Sequence, residues 1–69
     1  MDIKSKIGQR IKDVREKKEM SQKTLAYSAD LDRSYIASVE SGKRNISIVN
    51  LEKIAQTLDV SLSELFKSL

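Results

Sequence analysis

The stretch SQKTLAYSADLDRSYIASVESGKR, Ser21 to Arg44, decides how this chain is read. Ser21 is a good helix N-cap, because its hydroxyl can accept from a free amide of the first turn. Leu25, Ala26 and Ala29 then share one face of a short helix over 22–29. Asp30-Leu31-Asp32 makes a three-residue turn, and Asp32 is placed to cap a second helix over 33–41. Gly42 follows at the position where helices stop in a left-handed conformation. Two short helices across a tight turn, over 22–41, are thus expected at the centre of the chain.

The same reasoning extends outward. Ile3, Ile7, Ile11 and Val14 form one stripe of a helix over 3–18. Gly8 lies inside it and costs about 1 kcal/mol of helix propensity relative to alanine; close packing against a neighbour would explain it. Beyond Gly42, Lys43–Ile46 reads as a loop. Ser47 caps a helix over 48–58 that buries Leu51, Ile54, Ala55 and Leu58. Ser61 and Glu64 have the spacing of a capping box, opening a fifth helix with the stripe Leu62, Leu65, Phe66 and Leu69. No segment alternates as a strand does. The expectation is one all-α domain over 1–69, a compact bundle of five short helices.

Composition narrows the chemistry. The chain has 69 residues, 39% apolar and 33% charged, which is globular rather than disordered. It has no cysteine and no histidine, so it has no disulfide, no thiolate metal site and no imidazole base. Asp30/Asp32 and Glu16/Glu19 read as caps and solvated helix charges, and there is no glycine-rich phosphate loop. No enzyme activity, metal, cofactor or small-molecule ligand is expected. No apolar run is long enough for a membrane span or a signal peptide, so a cytoplasmic protein without membrane partners is expected. The net charge of +3 is uneven: residues 1–24 carry eight Lys/Arg against four Asp/Glu, and residues 46–69 carry two against three. A basic bias of this size fits polyanion contact but does not establish it.

The second central helix is more specific. At about 100° per residue, Arg33, Ser34, Ala37, Ser38 and Ser41 fall in one arc, and Tyr35, Ile36, Val39 and Glu40 lie opposite. An ordinary solvated face would be rich in Glu, Lys and Gln. Here it holds one arginine and small residues, which let a backbone approach base edges closely. An arginine fork can bridge guanine O6 and N7. The arrangement is that of a helix-turn-helix, in which the second helix enters the major groove of DNA.

Ser21-Gln22-x-x-Leu25-Ala26, Ile36-x-x-x-Glu40-x-Gly42, Leu51-x-x-Ile54-Ala55-x-x-Leu58-x-Val60 and Leu65-Phe66 resemble the Cro/CI-type helix-turn-helix family of bacterial and phage repressors, over about residues 7–66. Within it, Leu31–Ile36 and Arg44–Ser47 look most like the controller proteins of restriction–modification systems. The resemblance implies a regulator that binds a double-stranded DNA operator, with Arg33, Ser34, Ala37 and Ser38 at the bases. Ser21, Gln22, Lys43, Arg44 and Asn45 would contact phosphates. Tyr35, at the edge of the buried arc, would be core or reach the backbone. The family pattern pairs Glu40 with a cation of the first helix, here Arg15. The C-terminal segment has no positive field and an apolar stripe wider than the core needs. A homodimer through residues 59–69, with Val60, Leu62, Phe66 and Leu69 at the interface, is therefore expected. It would repress by overlapping a promoter or activate by touching RNA polymerase. A phage-type or antitoxin-type repressor is the alternative within the fold, and a protein-interaction module without DNA binding the alternative outside it.

Overall fold

The computed structural model describes residues 2–67, all of whose regular structure is helical: α1 (Ile3–Lys17), α2 (Gln22–Ser28), α3 (Arg33–Glu40), α4 (Ile48–Thr57) and α5 (Leu62–Leu65). Starts are set by local chemistry. Ser21, Ser47 and Ser61 each accept, through Oγ, the backbone N–H three residues on, at 3.0–3.1 Å. Asp2 does the same for Ser5 at 2.8 Å, which holds its carboxyl below the usual carboxylate value. That contribution is present above the ordinary value and is lost as pH falls through the lowered one. Asp32 occupies the cap position of α3, but its side chain makes no capping bond.

The ends are equally uniform. After α1, α2, α3 and α4 the chain enters the left-handed region at Glu19, Asp30, Gly42 and Asp59. The next amide then reaches back five residues, as in Met20 N–H to Arg15 O and Lys43 N–H to Ser38 O. Only Gly42 must be glycine for room as well as conformation, because a Cβ there would press on Ser5 of α1.

The core holds Ile7, Ile11 and Val14 of α1, Leu25 and Ala26 of α2, Ile36 and Val39 of α3, Leu51, Ile54, Ala55 and Leu58 of α4, and Leu65 of α5. Gly8 lets α1 cross α3 at backbone distance. A Cβ on it would overlap the Val39 carbonyl oxygen and lie 2.9 Å from that of Glu40. Two expectations are corrected. Ile3 is 60% exposed, because the first turn of α1 projects past the core. The fifth helix stops at Leu65 with Phe66 as its C-cap, so the stripe expected to run on to Leu69 is not one helical face within the described residues.

Candidate nucleic-acid interface

α3 is amphipathic in an unusual sense: its inner face is fully engaged and its outer face is free. Ile36, Val39 and Glu40 are buried, Arg33 and Ser34 are exposed, and Ala37 and Ser38 are half-buried. Arg33, Lys43 and Arg44 form no ion pair among the described residues. Three cations thus stand beside a run of small side chains, two of them in the loop that follows α3.

The inner face is held by a charged network. Arg15 Nε donates to Glu40 Oε2 at 2.7 Å and Arg15 Nη2 to Glu40 Oε1 at 2.9 Å, a two-point fork. Arg15 Nη1 donates to Met20 O at 2.8 Å. One guanidinium therefore ties α1 to α3 and to the segment leading into α2. Hydrogen bonding to Glu40 raises the pKa of Arg15 above its already high value, so the cation stays charged. Both side chains are nearly removed from solvent. The acid on the inner side of α3 fixes the orientation of that helix.

Two residues assigned to phosphates have protein partners. Gln22 Nε2 donates to Glu40 Oε1 at 3.0 Å, which leaves one N–H of that amide for DNA. Ser21 Oγ caps α2 and donates to Thr24 Oγ1 at 3.0 Å, so its hydroxyl proton is already used. Ser21 serves as the cap of α2 in the free protein. Tyr35 is half-buried, and its Oη accepts from Asn50 Nδ2 at 3.1 Å. The Arg44 guanidinium carbon lies 5.0 Å from the Tyr35 ring centroid, within cation–π range. Lys43 is exposed directly after Gly42, and Asn45 lies at the rim of a groove with Ile3, Lys4, Ile7, Ile46 and Phe66.

In the C-terminal segment, Val60 and Leu62 are half-buried, Phe66 is 39% exposed, and Leu69 lies outside the described residues. Sequence reasoning missed Ile48 and Val49, both more than half exposed at the start of α4. Two adjacent large apolar residues before a complete Leu51–Leu58 core stripe were the available signal. It also missed Asn50, whose link to Tyr35 spans fifteen residues and leaves no periodic trace.

This geometry has counterparts. A helix-turn-helix family model matches residues 11–65. The chain belongs to the helix-turn-helix family. Control protein C.MunI of Mycoplasma sp is 51% identical over 69 residues, covering 99% of this chain and 93% of that protein. Control protein C.BamHI of Bacillus amyloliquefaciens is 42% identical over 65 residues, covering 93% and 80%. The crystal structure of the restriction–modification controller protein C.AhdI from Aeromonas hydrophila superposes with a TM-score of 0.88 at 50% identity, covering 90% of this chain and 94% of that one. Membership makes the chain a DNA-binding transcription regulator, and α2 and α3, joined by a short turn, lie within the matched residues.

Proposed function

We propose that the chain works as a homodimer on a two-fold operator near a promoter, as a restriction–modification controller. The observation that carries this reading is the free outer face of α3. Arg33, Ser34, Ala37 and Ser38 present one long cation and three small side chains, on a helix that Arg15 and Glu40 lock from behind. Arg33, at the N-terminal end of the helix, reads guanine; Lys43 and Arg44 flank it and meet phosphate. Similarity to control proteins across nearly the whole chain supports the controller role over other regulators of this fold.

A symmetric dimer places two recognition helices about 34 Å apart, one turn of duplex. Exposed Phe66 and half-buried Val60 and Leu62 of the same segment supply apolar surface that supports such pairing. Output then follows protein concentration steeply, by repression through promoter overlap or activation through contact with RNA polymerase.

The test is a salt titration on duplex selected by the protein from a randomised library. Each phosphate neutralised contributes about −0.9 to the log–log slope. Several phosphates per subunit, doubled by the dimer, give a slope steeper than about −4. A flat titration contradicts DNA binding through this face.

A further inference from the structure

We infer that Asn50 of α4 is a positioning residue for DNA recognition, acting through Tyr35 to hold Arg44 against the recognition helix in the free protein. The inference rests on the reading that the outer face of α3 meets DNA, and it adds how the loop arginine comes to be in place.

The linkage is continuous. Ser47 Oγ accepts the backbone N–H of Asn50 at 3.1 Å, which pins the base of the Asn50 side chain. Asn50 Nδ2 donates to Tyr35 Oη at 3.1 Å. The Tyr35 ring packs against the core, so it is held by the core along its body and by Asn50 at its tip. Arg44 lies over that ring, 5.0 Å from its centroid, and pairs with no carboxylate among the described residues. The ring is thus the partner that fixes where the Arg44 charge stands. An arginine on an exposed loop otherwise samples many rotamers, and ordering it on binding lowers affinity. Here that ordering is done before DNA arrives.

The experiment uses the full chain and the duplex it selects from a randomised library. Asn50→Ala is expected to bind that duplex about three- to ten-fold more weakly, the range for losing one pre-ordered side chain, with an unchanged thermal midpoint. Tyr35→Phe keeps the ring, loses the hydroxyl and is expected to match it. Arg44→Ala weakens binding on its own. Adding Asn50→Ala to Arg44→Ala is expected to cost little more, because the residue being positioned is gone. In the free protein, the ring-current shifts of the Arg44 side-chain protons are expected to collapse in Asn50→Ala. Losses that simply multiply in the double variant, or Arg44 resonances unmoved by Asn50→Ala, overturn the proposal. A wild-type chain that selects no duplex overturns the DNA-binding reading instead, a result distinct from either.

Discussion

Two regions of this small domain are finished to different degrees. Around α2 and α3, buried groups answer one another: Arg15 serves Glu40 and Met20, Glu40 serves Gln22, and Ile36 and Val39 are sealed. Around α5 the helix has four residues. Arg10 reaches Glu64 O at 3.0 Å from a partly exposed position, its Nε lacks a partner among the described residues, and Phe66 is partly open to solvent. A recognition helix has to keep its orientation before DNA arrives, so its support is internal. A surface that another molecule will cover can be left open. In the proposed dimer the two regions therefore differ in what completes them.

That contrast is most easily broken at the buried pair. Glu40→Ala or Arg15→Ala leaves an unanswered charge in the core and is expected to cost about 3–5 kcal/mol. The double variant is expected to lose less than the sum, as thermal unfolding in a double-mutant cycle will show. Strict additivity would mean that the network does not hold the helix-turn-helix. Next in size is Gly8→Ala. Its methyl group has nowhere to go between α1 and α3, and about 1–3 kcal/mol is expected from overpacking, read from urea midpoints. A neutral or stabilising result would show that α1 and α3 do not cross at backbone distance.

Around α5 the expected effects are smaller in folding and larger in assembly. Phe66→Ala is expected to cost only about 1 kcal/mol of fold stability, because the ring is partly exposed already. It is expected to shift sedimentation toward the monomer at micromolar concentration. A large stability loss with unchanged association would make Phe66 a core residue and remove it from the interface. The smallest effect sharpens the comparison by removing a difference. Asp30 and Asp59 hold the same left-handed conformation in the two regions, with φ of 59° and 57°. Asp30→Gly and Asp59→Gly are each expected to stabilise by roughly 0.5 kcal/mol, since glycine takes this conformation without strain. Equal shifts in thermal midpoint would show that backbone chemistry is the same in both regions and that only side-chain packing distinguishes them.

The sequence shows most of the fold because most of the fold is local. Serine caps and apolar spacing depend on residues three or four apart, and the ends of α1 to α4 fall within one residue of where those signals place them. The C-terminal helix is shorter than its apolar stripe suggests, because the stripe there mixes Leu65, which reaches the core, with Phe66, which does not. The candidate site is readable in part. The helical wheel separates Arg33 and Ser34 from Ile36 and Val39 without any tertiary information. Gln22, Ser21 and Asn50 are different. The partners of Gln22 and Asn50 lie eighteen and fifteen residues away, and Ser21 spends its hydroxyl proton on a neighbour whose rotamer the sequence does not show. Where a polar side chain chooses between DNA and its own fold, only the folded neighbourhood decides.

In the proposed function the outer face of α3 reads sequence while the loop after it senses charge. Affinities of wild type, Arg33→Ala and Lys43→Ala for the selected duplex and for a scrambled duplex separate the two roles. Arg33→Ala is expected to lose about 1–3 kcal/mol of discrimination between the two duplexes. Lys43→Ala is expected to weaken both about equally and to flatten the salt slope by about one unit for each phosphate it no longer neutralises. An Arg33→Ala chain that keeps the wild-type ratio between the two duplexes would contradict sequence reading by this face of α3.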